Sequence, residues 1–223
     1  MNIIVDNFVA PECLQKIVIL FQDAHFLMIN KPSGLLSLSG KNALNKDSVH
    51  FRLVQDFPTA KMVHRLDLGT SGIMLIALNK QANANLSKQF ELRSVVKTYV
   101  SVLAGHVIDD SGQINMPIAK DPLLFPRLKI CIKHGKQAQT DYKVLERLQS
   151  PLSTRVSSHP LTGRTHQLRI HSQHIGHPIL GCDLYGTQQT LQAANRLMLH
   201  AEKLQFDHPV TGQRMLGECV CPF

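Results

Sequence analysis

Short apolar runs of strand length outnumber helical stretches along this 223-residue chain, and they do not alternate with helices in any fixed order. KIVILF (16–21) and HFLMIN (25–30) flank QDA as the two arms of a hairpin would. KTYVSVLAG (97–105), LKICIK (128–133), TDYKVLERL (140–148), STRVSSHP (153–160) and RLMLHAEKLQF (196–206) also read as strands. Two helices are predicted. One starts after Asn79, where Ala82, Leu86 and Phe90 recur every fourth residue. The other covers GRTHQLRIHSQHIGHP (163–178), stopped by Gly176 with Pro178 just beyond. A doubly wound parallel sheet needs regular βαβ alternation, and the pattern lacks it. The expected fold class is α+β: one domain over residues 16–223, a mixed, mainly antiparallel sheet flanked by helices and loops. Residues 1–15 are expected to be a loosely held arm.

Charge narrows the partner. Lys and Arg number 24 against 16 Asp and Glu, a net charge of +8 and a pI near 9.4. An excess of that size points to a polyanion, nucleic acid first. With nine Phe, three Tyr and no Trp, any base-stacking surface must be small or use arginine planes. MNIIVDNFVAPECLQ carries Asp6 and Glu12 and lacks the cationic start and apolar run of a secretory signal. No stretch of about 18 apolar residues suggests a membrane span. Five scattered cysteines, an odd count, fit free thiols in a reducing cytoplasm.

Nucleotide and metal motifs fail one by one. There is no G-x-x-x-x-G-K-[ST]; GHPILGCD (176–183) has two glycines but Cys where the lysine belongs. G-x-G-x-x-G is missing as well, so no nucleotide cofactor is expected. His166, His171, His174 and His177 crowd into twelve residues, but Arg169 stands among them and no H-E-x-x-H completes a zinc set. Cys219 and Cys221 are a lone C-x-C without a second pair. Neither group is expected to hold a metal.

The most informative segment is MVHRLDLGTSGIMLIALNK (62–80). A charged cluster there passes through small residues into an apolar run, a way of presenting a reactive side chain at a sheet's edge. The same pattern also describes a salt-bridged loop. HRLD followed by TSG and an apolar strand resembles the active-site motif of the RluA family of RNA pseudouridine synthases. Three other segments resemble that family in order and spacing: NKPSGLLS (30–37), KTYVSVLAG (97–105) and LTGRTHQLRIHSQHIGHPILGCDLYG (161–186). The likeness runs from about residue 17 to 208. One departure is Cys182, an extra residue between Gly181 and Asp183 that is expected to alter a small loop and leave the chemistry intact. About 15 residues precede the first strand, so the family's common N-terminal S4-type domain is expected to be absent, as in its compact branch.

The resemblance implies an isomerase that flips specific uridines of structured RNA, in 23S rRNA, tRNA anticodon stem-loops or both, and returns them as pseudouridine. It implies a pseudouridine-synthase-type catalytic domain acting as a monomer, with RNA as partner and no cofactor. Asp67 is implied to be the nucleophile, and Arg169 the arginine that pairs with that aspartate. Tyr99 is implied to stack on the flipped uracil and to be a candidate for removing its C5 proton. Arg65 matches the arginine that enters the vacated stack. His64, Arg164 and Lys31 are expected as substrate-binding or scaffold positions, and His171 as a scaffold position or phosphate contact. An inert RNA-binding module would gain nothing from an anion facing phosphate, and a hydrolase would lack a G-x-S-x-G elbow.

Overall fold

The computed structural model describes residues 8–223, within which the chain divides into two compact units. Unit 1 comprises the chain up to Ser94 together with Phe206–Cys219; unit 2 comprises Val95–Gln205 and Val220–Phe223. The first seven residues of the expected arm lie outside the described residues. Residues 8–15 form no regular element, yet they are tied down rather than loose. Asn45 accepts from Ala10 N at 2.7 Å and donates to Phe8 O at 2.7 Å, while Arg52 donates to the carbonyls of Cys13 and Gln15.

In unit 1 the expected hairpin forms from β1 (Val18–Gln22) and β2 (Phe26–Lys31). Asp23 makes its turn by accepting from His25 N and Phe26 N at 2.7 and 2.8 Å. Those bonds, together with His208 at 2.8 Å, outweigh desolvation and hold its carboxyl below the usual range. Helix α1 (Val49–Asp56), which carries too short an apolar pattern to be read from sequence, is capped by Ser48. After the two-residue strand β3 (Lys61–Met62) comes β4 (Ser71–Ala77), in which every residue is buried. The run IMLIAL thus fills the middle of a layer, with β2 and β3 both antiparallel to it. Each fully buried Ile, Leu or Met contributes about 1.5–3 kcal/mol. Helix α2 (Lys80–Glu91) begins where the sequence placed it, Asn79 Oδ1 accepting from Ala82 N at 2.9 Å, and buries Ala82, Leu86 and Gln89.

Unit 2 is built around β5 (Val96–Ala104). The strands that follow are β6 (Ser111–Asn115), β7 (Ile118–Lys120), β8 (Leu128–Ile130), β9 (Gln139–Gln149) and β10 (Leu152–Pro160). Helices α3 (Gln167–His174) and α4 (Gln188–Gln192) precede β11 (Leu199–Asp207). β10 and β11 flank β5, β9 pairs with β10, and β6 pairs with β9, all antiparallel. β7 and β8 form a separate two-stranded ribbon. Leu103, Val156, Ile170, Ile179, Tyr185 and Leu199 belong to the core cluster here, and Cys182 lies among them at 1% exposure. The residue that departs from the family pattern is therefore packed into the core. The last strand, β12 (Arg214–Glu218), belongs to unit 1, where Gly217 lies against Met28 and Ile73.

Some expected elements are shorter than their patterns, among them the 196–206 strand, which begins at Leu199. The 163–178 stretch is helical only over α3, because His166 takes a left-handed φ of 56° and the Gln167 side chain folds residues 162–166 into a loop. The helix does end at Gly176, whose φ is +85°. LKICIK stops pairing after Ile130, since Gly135 N donates to Cys131 O and turns the chain. Among the described residues no helix is long and apolar enough to cross a membrane.

Gly181 should be irreplaceable. Its φ is +70°, and an added Cβ would lie 1.9 Å from the carbonyl oxygen of Arg196. Left-handed geometry alone costs an L-residue about 1–2 kcal/mol. Gly181→Ala is expected to exceed that loss, read as a lower urea midpoint at unchanged m-value.

Candidate active site

Unit 1 carries Lys31, His64, Arg65 and Asp67. Asp67 lies half-buried in the loop between β3 and β4, and its own carbonyl accepts from Thr70 N at 3.1 Å. The carbonyls around it are held by residues 31–37. Ser37 Oγ donates to Leu66 O at 2.7 Å and accepts from Leu66 N at 3.1 Å. Leu68 O accepts from Gly34 N at 2.8 Å and from Lys31 Nζ at 3.2 Å, and Gly69 O accepts from Ser33 Oγ at 2.7 Å. Gly34 supplies the φ of +83° that brings its N–H to this bond. The NKPSGLLS segment is thus a clasp around the HRLD loop.

Lys31 is the strut of that clasp. It is 0% exposed, and its ammonium also donates to Pro32 O at 2.9 Å and Leu35 O at 2.6 Å. A buried cation is tolerable only when acceptors converge on it. Of the two roles expected for Lys31, substrate-binding or scaffold, these contacts fit the scaffold, with the side chain holding the loop from inside. His64 has a similar assignment. Its Nε2 accepts from Leu75 N at 2.9 Å, which leaves Nδ1 as the protonated nitrogen of a neutral ring, and that ring stacks on Phe90 at 4.4 Å. Arg65, next to the half-buried His64, is exposed.

Unit 2 carries Tyr99, Arg164 and Arg169. Tyr99 is half-buried on β5, opposite Ser158 and Ala201, and packs on the apolar cluster. Arg169 is 4% exposed on α3. Its Nε donates to Cys182 Sγ at 3.3 Å, Nη2 pairs with the exposed carboxylate of Asp183, and the guanidinium lies 5.2 Å from the Tyr185 ring centroid. A planar cation can use an edge for the acid and a face for the ring at once, which an ammonium cannot. Sequence reasoning missed Asp183 and Tyr185 as partners: both stand in the quoted GHPILGCDLYG segment, but no local spacing links them to a residue 14 or 16 positions earlier. Arg164 Nε donates to Gln137 O at 3.0 Å, and its backbone N donates to Gln167 Oε1 at 3.0 Å.

A buried polar chain sets α3 in place. Gln167 Nε2 donates to Gln139 O and Thr140 Oγ1, both at 2.9 Å, and Thr162 Oγ1 donates to Gln167 Oε1 at 2.7 Å. Thr140 then donates to His171 Nδ1 at 2.9 Å, because His171 Nε2 must be the donor to Met116 O at 3.0 Å. Burial holds the His171 pKa below its ordinary value. The four clustered histidines have separate surroundings: His166 bonds Tyr185 OH, His177 bonds Ala104 O, and His174 is exposed. Among the described residues no three His, Cys, Asp or Glu gather as a metal site.

The sequence profile of the family described as RNA pseudouridylate synthase matches residues 25–174, a span that holds Lys31, His64, Arg65, Asp67, Tyr99, Arg164 and Arg169 but not Cys182, Asp183 or Tyr185. The dual-specificity RNA pseudouridine synthase RluA of Yersinia pestis is 46% identical over 206 residues, covering 92% of this chain and all of that protein. The chain belongs to the RNA pseudouridylate synthase family. The RluA of Escherichia coli K12 is 44% identical over 207 residues, covering 93% of this synthase and 94% of its own length. Among solved structures, human RNA pseudouridylate synthase domain containing 1 has a TM-score of 0.81 at 30% identity, over 96% of this chain and 86% of that one. Human domain containing 4 has a TM-score of 0.72 at 25% identity, over 92% and 88%. The synthase is accordingly an RNA isomerase with the α+β fold expected of it.

Two measurements check the supports of the site. Lys31→Met removes three donor contacts to carbonyls in a sealed loop. Each carbonyl left unsatisfied costs about 1–3 kcal/mol, so the variant should lose at least about 2 kcal/mol of unfolding free energy in urea and its turnover should fall with it. His171 gives a pH signature. With its folded pKa depressed, the unfolded chain binds the extra proton, so the contribution is full above the unfolded value of about 6.5 and is lost as pH falls through the folded value. Wild-type stability should decline from about pH 7 to about pH 5, and His171→Gln should start lower and lose less over that interval.

Proposed function

We propose that this synthase isomerises specific uridines of structured RNA, in 23S rRNA, tRNA anticodon stem-loops or both, with Asp67 as the nucleophile. The observation that carries the assignment is the clasp: the carbonyls at residues 66, 68 and 69 are each fixed by a side chain or amide of residues 31–37, while the Asp67 side chain keeps part of its surface open. A nucleophile needs that combination, because a misplaced carboxylate forfeits the rate gained from orientation.

Tyr99 and Arg169 are the other catalytic residues of this reading. The N1–C1′ bond breaks, the uracil turns, and C5 takes the bond to C1′; the C5 proton leaves and N1 ends protonated. Asp67 forms a covalent adduct with the nucleotide during the exchange and is released at its end. Tyr99 offers a ring for stacking and a phenolic oxygen for the C5 proton. Arg169 supplies a charge that never titrates in the working range. Since the product is an isomer, the reaction consumes no energy source and exchanges no electrons. Arg65, exposed next to the clasped loop, fills the gap in the stack when the uridine flips, and the net charge of +8 supplies the attraction to the backbone. Five free cysteines fit the reducing cytoplasm, where we place the enzyme as a monomer.

Asp67→Asn decides the matter. Tritium release from RNA labelled at uridine C5 should vanish, while affinity for the same RNA stays within about three-fold, because binding rests mainly on phosphate contacts. Substantial turnover by the purified variant would remove Asp67 from the nucleophile's role.

A further inference from the structure

The ribbon of β7 and β8 has no part in the catalytic reading, yet its composition is unlike the rest of the surface. Between residues 120 and 136 stand Lys120, Arg127, Lys129, Lys133 and Lys136 against one carboxylate, Asp121, so a net charge of +4 of the chain's +8 lies in this short stretch. Its tip reads DPLLFPR, and Leu123, Leu124 and Phe125 are 85%, 50% and 64% exposed. Three consecutive large apolar residues in water are costly unless something covers them. Asp121 shapes the tip by accepting from Leu123 N at 3.1 Å and holds Lys129 at 3.5 Å.

The cations do not sit on a flat solvated face. Arg127 and Lys129 stand at a recess of about 350 Å³ lined by Leu124, Ile170 and Tyr185, with His174 of α3 across from them. Arg127 lies 5.5 Å from the centroid of the same Tyr185 ring that Arg169 approaches at 5.2 Å, and Leu128 N donates to Tyr185 OH at 3.0 Å. The ribbon is thus fastened to the support of a catalytic arginine.

We propose that the β7–β8 ribbon is a second RNA contact: Phe125 stacks on an unpaired base of the substrate, and Arg127 and Lys129 hold the adjoining phosphates. The proposal rests on the RNA-modifying reading above. Charge complementarity selects the occupant, since a dense cationic patch beside an exposed aromatic matches the phosphates and base faces of single-stranded RNA. It also explains how a chain with no Trp stacks bases outside the pocket: one Phe is placed at a proline-flanked tip.

The test measures affinity by fluorescence anisotropy, with a synthetic anticodon-type RNA stem-loop and the same RNA sealed across its loop by a complementary strand. On the open loop, Phe125→Ala should weaken binding about ten-fold, Phe125→Leu should behave like it, and Phe125→Tyr should stay within about two-fold of wild type. On the sealed RNA all four proteins should agree within about two-fold, because no base face is free. Arg127→Gln and Lys129→Gln should each reduce the slope of log affinity against log salt by about 0.7. Unchanged affinity of Phe125→Ala on the open loop, or equal loss on both RNAs, would overturn the stacking assignment. Unchanged salt slopes would overturn the phosphate contacts. Tritium release by Asp67→Asn reports on the catalytic reading separately, so the two ideas fail in different measurements.

Discussion

One buried ammonium organises the first half of this enzyme. Lys31 ends β2 with its charge fully out of water, and the carbonyls of Pro32, Leu35 and Leu68 point their oxygens at it. Such a group is expensive to bury and more expensive to leave unpaired, so the loops that supply those carbonyls have very little freedom. The constraint passes through Leu68 to the backbone beside Asp67. The serines at 33 and 37 close the remaining gaps.

The second half is organised around a different cation. Arg169 is buried on α3, and its surroundings meet each part of the guanidinium separately: a thiol at Nε, a carboxylate at Nη2, an aromatic face below. The helix that carries it is anchored by amide, hydroxyl and imidazole groups in series, from Thr162 to Met116. Each member satisfies the next, and removing one leaves a buried polar atom unpaired. Tyr185 links this helix to the ribbon, since its hydroxyl accepts from Leu128 N and its ring is within 5.5 Å of both Arg127 and Arg169.

The longer strands were legible because apolar spacing is a local property, whereas β3, β6, β7 and β12 were not read. IMLIAL, KTYVSVLAG and STRVSSHP needed no partner to be recognised, and Asn79 announced its helix by the bond its own side chain makes three residues on. The start of α3 was not legible. GRTH holds weak helix formers, Gly163 among them, and Gln167 reaches back to bond Thr162 and Arg164, a pairing across the loop that spacing does not reveal. Spacing along the chain also left Lys31 and His64 open between scaffold and phosphate contact. A lysine and a histidine near an acidic motif look like ligands for RNA until a neighbouring carbonyl or amide is seen to occupy them.

By itself the sequence determined the strand-rich α+β architecture, the positive charge, the four ordered motifs and, through them, the family and its aspartate. These depend on residue type and spacing along the chain. Only the tertiary structure decided what surrounds each of those residues: that Lys31 is a strut, that Asp183 and Tyr185 attend Arg169, and that a basic ribbon fastened to Tyr185 exposes an apolar tip. Burial and hydrogen-bond partners join residues from 5 to over 50 positions apart. Such pairings are fixed by how the layers pack, and local pattern carries no record of them.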